Sequence, residues 1–366
     1  MRMPTDYPPY RLPQVPNKQR WLAAGMLFTL CLSSSLALFS HGEDRVMPVV
    51  LAAMAILTFI WLWVLRQLWF RCASHNAAFY QQQVDVEHRR WWQQHQQTMA
   101  IQDIVLLGPA GCEPGHWQQL LQREQSSPKT DHIAKIFCHD RGDREVRLAR
   151  QLVSQWCNQR STGLSVSPCC CYWQGSHNAW QAFVQEAAIL LPELILPMRP
   201  QPWQGEASLS SAIRQMSDGD AATTLLIGGC HSQPLGHDAQ QAGDAAVLWL
   251  VAKQGAVHIT RGEISRQDED VGLPDMYLRV LQQSALTSPP DTCILFSLPD
   301  NVLPSNGDWS LTHHLQDNNW GEMGALASLV VMSLAAIGST QQDAPCGWIA
   351  RDPSGGISTG IVKPYE

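Results

Sequence analysis

Three places in the chain bring nucleophilic or ligating side chains together. Cys169-Cys170-Cys171 is a run of thiols, Cys230-His231 stands near His237-Asp238, and His313-His314 is a histidine pair. A thiolate attacks carbonyl carbon or binds zinc, and an imidazole moves protons or ligates metal. Adjacent cysteines do not easily close one tetrahedron, and no CxxC or HxxxH partner lies near the triplet, which reads as ordinary thiols. The Gly, Gln, Ser and Asp around Cys230-His231 and His237-Asp238 read as an exposed connector. His313-His314 precedes a polar loop and reads as solvated. The chain has no P-loop, GxGxxG or GxSxG elbow, and Gly108-Pro109-Ala110-Gly111 is a tight turn after a strand. No catalytic, cofactor-binding or metal-ligating residue, and no cofactor, is expected from these groups.

The elements around them alternate. Ile101–Gly111 reads as a buried strand and Gly/Pro turn, followed by a helix from His116 to Arg123. Ile133–Cys138 is apolar, Glu145–Trp156 and Ala179–Leu190 read as helices, and a strand lies near Cys169–Trp173. Ser208–Ser217 is a helix whose Leu209, Ala212, Ile213 and Met216 fall at i, i+3, i+4 and i+7. Thr223–Ile227, Ala245–Ala252 and Ile294–Phe296 read as strands, and Trp320–Ile337 opens on a Gly-containing turn and continues as an apolar helix. Its Ala, Gly and Ser content favours a core helix over a membrane span. Cys346–Ala350, a Gly355-Gly356 turn and Gly360–Val362 form a closing hairpin. The fold class is α/β, a layered domain over 101–366. Pro192–Pro202, with its four prolines, divides it into halves of about 101–200 and 201–366.

The first hundred residues differ. They hold nine Lys/Arg against five Asp/Glu, or +4, which leaves −11 of the total −7 to the rest. A net-negative remainder argues against a nucleic-acid partner. Residues 1–20 are Pro-rich and irregular. Trp21–Phe39 and Met47–Leu65 carry no charged side chain over 19 residues each, enough to cross a hydrocarbon core of ~30 Å. They predict a transmembrane helical hairpin over 21–70. Arg2, Arg11, Lys18, Arg20, Arg66 and Arg71 flank it, and Glu43 and Asp44 outweigh Arg45 in the short connection. The positive-inside rule then puts the N- and C-termini in the cytoplasm. Residues 71–100, rich in Gln and carrying Trp91-Trp92, continue as a juxtamembrane helix. Eleven cysteines, scattered and odd in number, fit a reducing compartment.

From Ser208 to Gly262 the order helix, GD turn, strand, GG, loop, GD, strand and basic turn resembles the thiolase-like β-ketoacyl synthases. Trp117, Leu120 and Leu121 after the first strand, the Trp320-Gly321-Glu322-Met323-Gly324-Ala325 turn and the closing hairpin extend the likeness. Such enzymes require a Cys at a helix N-terminus and two His, or His and Asn. By this alignment the nucleophile falls near Pro202 or Trp203, in Pro202-Trp203-Gln204-Gly205-Glu206-Ala207, which has no Cys. The first His falls in Ser297-Leu298-Pro299-Asp300 and the second at Asn318. All three positions lack the required residue, so the expectation is a pseudoenzyme and not an enzyme. The resemblance also implies a homodimer.

Over essentially its full length, from Arg11-Leu12-Pro13 through the hairpin and the Trp91-Trp92-Gln93-Gln94 stalk to the Gly360-Ile361-Val362-Lys363-Pro364-Tyr365 ending, the chain resembles an inner-membrane accessory family encoded in enterobacterial type VI secretion clusters. A related likeness is to type VI lipase adaptors. What these imply is a membrane-anchored, noncatalytic adaptor at the bacterial inner membrane, binding effector or secretion-apparatus proteins. The alternatives are a membrane-tethered acyl-thioester enzyme and a purely structural assembly factor.

Overall fold

The computed structural model describes residues 7–8, 10–11, 13–39, 46–122, 143–160, 168–232, 243–265, 273–296 and 316–365. The chain divides into two compact units, Met1–Gln93 and Gln94–Glu366.

In the first unit, α1 (Lys18–Phe39) has 22 residues and α2 (Val46–His95) has 50. Both turn large apolar side chains outward: Leu22, Met26, Leu27 and Leu30 on α1, and Met54, Leu57, Trp61 and Leu65 on α2. Their hydroxyls are bonded to their own helices. Thr29 donates to the Gly25 carbonyl at 3.0 Å, Ser34 to Leu30 at 2.8 Å and Thr58 to Met54 at 2.7 Å. Such back-bonding satisfies these hydroxyls without water, as lipid surroundings require. The helices meet where the Trp21 and Phe59 rings lie 5.7 Å apart. A Cβ on Gly25 would come within 2.5 Å of the Phe59 ring, so only glycine permits that approach.

The Pro-rich segment before α1 forms no helix or strand among its described residues, and it lies along α2. Tyr80 donates its hydroxyl to the Pro8 carbonyl at 3.0 Å, Tyr10 packs 5.5 Å from Tyr80, and Arg66 donates to the Gln14 carbonyl at 3.3 Å. At 1.5 Å per residue α2 is about 75 Å long, well over the ~30 Å hydrocarbon core. The second apolar stretch and most of the Gln-rich stretch beyond it are therefore one unbroken helix. The connection carrying Glu43, Asp44 and Arg45 lies outside the described residues.

Two helical stretches among the described residues are long and apolar enough to cross a membrane. Within Ala52–His95 none of the apolar window is buried, whereas in Gly324–Gln342 the buried share is 72%. The latter contains α9 (Ala327–Gln342), which is the centre of the second unit's core.

That unit is built on ten described strands: β1 (Thr98–Leu107), β2 (Cys170–Gln174), β3 (Gln201–Pro202), β4 (Leu225–Ser232), β5 (Asp244–Ala252), β6 (Val257–Thr260), β7 (Glu263–Ser265), β8 (Thr292–Leu295), β9 (Cys346–Arg351) and β10 (Ile357–Pro364). The sheet order is β3-β2-β4-β5-β1-β6-β10-β9-β8, with β7 paired to β10. β1 joins two groups of strands. Its Ala100–Leu107 part runs antiparallel to β5 with a shift between Ile101 and Asp103, and Thr98–Ile101 pairs with β6. Beyond the Pro192–Pro202 segment, β4 and β5 join the same run of strands as β2 and β1.

Helices cover both faces. β5 alternates Val247, Trp249 and Val251 into one core with Ala246, Leu248 and Leu250 into the other. The first core holds α6 (Glu206–Asp218), α9 and residues of α3 (Pro114–Leu121). The second holds α4 (Arg144–Gln159) and α5 (His177–Leu190). A smaller cluster packs α7 (Leu273–Gln283) on β8, β9 and β10, and the short α8 (Asp317–Trp320) precedes α9. A sheet sandwiched this way reads as continuous apolar runs instead of alternation. α9 is buried all round, and its polar groups are used inside: Trp249 donates to Ser333 at 2.7 Å and Trp203 to Ser328 at 3.3 Å. The Gly228-Gly229 pair, expected to end a strand, lies within β4. A Cβ on Gly229 would meet the Gln174 carbonyl at 2.3 Å, and one on Gly228 the Val247 carbonyl at 2.7 Å. The glycines serve close strand packing and not a turn.

Candidate functional site

The sharpest turn in the second unit joins β3 to α6. Gln201-Pro202 ends the strand, Trp203 bonds back to the Trp173 carbonyl at 3.1 Å, and Gly205 takes φ +63°, ψ −131° before α6 starts. Its carbonyl accepts the first helical bond, from Leu209, at 3.1 Å. This strained strand-to-helix elbow is the geometry that presents a nucleophile above a helix N-terminus. The expected place for it, Pro202 or Trp203, is two to three residues early. Trp203 is instead a core side chain, edge-on to Tyr172 and Trp249.

What fills the space above Gly205 is a carboxylate from the β9–β10 turn. A Cβ on Gly205 would lie 2.2 Å from Asp352 Oδ2 and 2.6 Å from Pro353. Asp352 is 2% exposed. Its Oδ2 accepts the Glu206 N–H at 3.0 Å, and its Oδ1 accepts the Ser354 N–H at 2.9 Å and the Ser354 hydroxyl at 2.6 Å. A carboxylate there complements the free N–H groups and positive end of α6.

The next residue, Glu206, carries the most useful acidity. Burial pushes its carboxyl up to about 7, and Glu263 and Asp352 add to the rise. The Ser210 hydroxyl, which donates to it, and Arg261 work the other way. A carboxyl near 7 exchanges its proton at neutral pH and suits general acid–base work.

Arg261, between β6 and β7, completes the centre. It is 8% exposed, donates from Nη2 to Gln97 Oε1 at 3.2 Å, and its Nε has no hydrogen-bond partner. Burial lowers its pKa, as does nearby Arg214, while Glu206 raises it. Glu263 in β7 is held by α7, through Arg279 at 3.5 Å and the Gln283 amide. The long-range partners of Glu206 come from two distant parts of the chain, Arg261 with Glu263 and Asp352, so local sequence gives little sign of this site. The only local signal was Gly-Glu at the start of an amphipathic helix.

A second polar centre lies at the C-terminal end of β4. Arg144 at the start of α4 pairs with Asp244, which is fully buried, and Ser232 donates to Asp244 Oδ1 at 2.7 Å. Glu145 accepts the Ser176 N–H at 3.1 Å, just before α5. Burial holds His231 below its ordinary pKa, against the pull of Glu145 and Asp244.

Cys230 and His231 thus sit on a strand and not on an exposed connector. Neighbours on a strand point to opposite faces; Cys230 packs in the α4–α5 core. His237 and Asp238 lie outside the described residues. So do His313, His314, Ser297–Asp300 and the side chain of Asn318, the positions aligned with the two catalytic histidines. Of the cysteine triplet, Cys171 is buried and pushed up to about 12, and burial also raises Cys170. Burial raises Cys230, Cys293 and Cys346 as well, the last to about 12. Thiols in that state are not nucleophiles at neutral pH. Among the described residues no three His, Cys, Asp or Glu side chains are arranged to hold a metal ion.

No family model and no curated protein matches the chain. Solved structures do. "The ishigamide ketosynthase/chain length factor" superposes with a TM-score of 0.53 at 13% identity, over 74% of this chain and all of that one. OleA H285A of Xanthomonas campestris gives 0.49 at 11% identity, over 73% and 98%, and an HMG-CoA synthase complexed with CoA gives 0.44 at 11%, over 74% and 83%. The fold is thiolase-like. The expectation that the domain is no enzyme is corrected here: the structure that superposes at 0.53 is named as a ketosynthase, and a shared fold at 13% identity gives no ground for excluding catalysis. The three aligned positions lack Cys and His, but that absence does not exclude catalysis by other residues, since the elbow lies at Gly205 and not at Pro202 or Trp203.

Proposed function

We propose that the chain is a membrane-anchored accessory protein of a type VI secretion system whose thiolase-like domain, on the cytoplasmic side of the inner membrane, binds effector or apparatus proteins. The full-length resemblance supports the secretion assignment. The lipid-compatible surfaces of α1 and α2 support the anchor. The Pro8–Tyr80 and Gln14–Arg66 bonds support both termini on one side, because they keep the N-terminal segment beside the part of α2 that leads to the domain.

The observation that carries partner binding is an apolar flank beside an open sheet edge. Ile189, Leu190, Ile195 and Met198 are exposed, Met198 at 91%, and they lead directly into β3, the edge strand, whose Gln201 and Pro202 are both exposed. Exposed apolar side chains next to an unpaired edge mark a protein-docking surface. A photo-crosslinker at Met198 of the full-length protein in its native membrane tests this. Adducts with secretion proteins support the reading, and adducts with a second copy identify a homodimer at the same edge. A probe that labels only lipid or nothing overturns it.

The elbow favours a second reading, a membrane-tethered acyl-thioester enzyme, since a near-neutral carboxyl beside a helix N-terminus is placed to move a proton at a carbonyl. Incubating the full chain with acyl- and malonyl-carrier protein and following acyl loss by mass spectrometry tests it. Unchanged carrier protein would remove this reading.

A further inference from the structure

The two long faces of α2 differ in what covers them. One is taken up by the start of the chain: Phe59 meets Trp21, Arg66 reaches the Gln14 carbonyl, Ala77 is buried, and Tyr80 holds Pro8 and Tyr10. Trp61, Leu68, Phe79 and Gln82 stand two residues further on, about 200° round the helix, and all four are exposed. This open face has a heptad spacing. Thr58, Leu65, Cys72, Phe79 and Val86 recur every seventh residue, and Met54, Trp61 and Leu68 stand four residues before the first three of them. All are exposed. Alternating steps of four and three make the a and d seam of a coiled coil, with Thr58 to Val86 at a. Met54, Leu57, Thr58 and Trp61 border a hollow on this face. Two d residues with the g and a between them form the hole that receives an a-position knob from a facing helix.

Lipid covers this seam only within the hydrocarbon core. Phe79 lies about 12 Å beyond Arg71 and Val86 about 22 Å, at 1.5 Å per residue. These are the large apolar side chains that α2 exposes past that charge, at 57% and 36%, and both fall at a. The occupant that fits is a second copy of the chain. Two copies anchored in one membrane run the same way, so a facing pair is parallel and sets each a residue against its own counterpart. The flanks then match in charge, because Asp85 at g of one helix faces Arg90 at e of the other. The pair that Arg90 makes with Glu87 on its own helix is exposed and weak. We propose that α2 joins α2 of a second copy in a parallel two-stranded coiled coil, with Thr58, Leu65, Cys72, Phe79 and Val86 at the seam. His75 and Gln82 at the later d positions are polar; they favour one register at a cost in strength. Pairing is therefore strongest when one membrane concentrates both copies. The inference rests on the anchoring part of the proposed function for its parallel direction, and not on secretion or on docking at Met198.

The test is oxidative crosslinking of the full-length protein in its native membranes. Copper phenanthroline with oxygen takes two electrons and two protons from a pair of Cys72 thiols, which facing a positions bring within disulfide reach. The expected product is a covalent dimer that is lost in Cys72→Ser and kept in Cys31→Ser. In the Cys72→Ser background, Phe79→Cys restores the dimer, whereas Gln81→Cys, at an outer position of the helix, does not. With Cys72 in place, Phe79→Asp lowers the crosslinked fraction severalfold. Absence of a Cys72-dependent dimer, equal crosslinking by Gln81→Cys, no loss in Phe79→Asp, or a Cys72 adduct with a different protein would each overturn the proposal. A carbonate wash of the same membranes separates the two readings. Release of the protein by the wash defeats the anchor and the parallel direction with it, and a missing dimer in membranes that retain the protein defeats the pairing alone.

Discussion

Two charged centres share one sheet and many of the same residue types. At the Asp244 centre, Arg144 meets a fully buried carboxylate directly and Ser232 bridges the pair. At the Glu206 centre, Arg261 is buried just as firmly yet touches no carboxylate, and Glu206 is held near neutrality. The first clamps α4 to the ends of β4 and β5. The second keeps a guanidinium and a carboxyl unspent at a helix N-terminus. A polar group whose bonds are all used holds structure, whereas one with a donor left over is available for chemistry or binding.

Mutations at each centre break that contrast. The largest effect is expected from Arg144→Met, which leaves Asp244 charged, buried and unpaired; it should lower the stability of the domain by about 3–5 kcal/mol in chemical denaturation. A loss below about 1 kcal/mol would show that the two centres do not differ.

Glu206→Gln should act in the opposite direction. The folded-state carboxyl is raised from 4.5 to about 7, so folding retains a proton that the unfolded chain has released. The stability tied to that proton is present below about 4.5 and is lost as pH climbs through about 7. The variant should therefore match the parent near pH 4 and exceed it by about 2–3 kcal/mol at pH 8. Thermal melts at the two pH values check the sign, and a variant that is less stable at pH 8 would contradict it.

Gly205→Ala places a methyl on the Asp352 carboxylate and an L-residue at positive φ, for a loss of about 1–3 kcal/mol. Pairing it with Asp352→Gly should recover part of the loss if the carboxylate is the obstacle, which a double-mutant cycle measures. The smallest change is expected for Arg279→Ala. The pair with Glu263 is partly exposed on both sides, and its removal should cost about 1 kcal/mol or less.

Much of the fold was legible in the sequence. The apolar spacing of Leu209, Ala212, Ile213 and Met216 gave α6, whose buried face is those four residues with Ser208. The uncharged run 245–252 gave β5. The Ala- and Ser-containing helix after Gly324 gave α9, and burial there confirms a core helix. The site was less legible. Alignment on the glycines places the elbow at Pro202 or Trp203, whereas the positive φ that makes the turn falls at Gly205. Glu206 in a helix's first turn has the sequence signature of a solvated acid favouring the helix dipole. Only Arg261, Glu263 and Asp352, brought from far along the chain, make it a half-buried acid among other charges. The Cys230-His231 pair misled for the same reason: Gly and Ser next to it suggested a connector, and sheet pairing made it a strand.

The position of β1 in the sheet has a consequence for synthesis. It is the first strand of its unit to leave the ribosome, yet it lies between β5 and β6, and Thr98 meets His258 some 160 residues further on. At ordinary elongation rates of 5–20 residues per second, that partner emerges about 10–30 s later. For that interval the nascent chain presents an apolar strand with both edges open, so correct folding depends on restraint of β1 until its neighbours are translated.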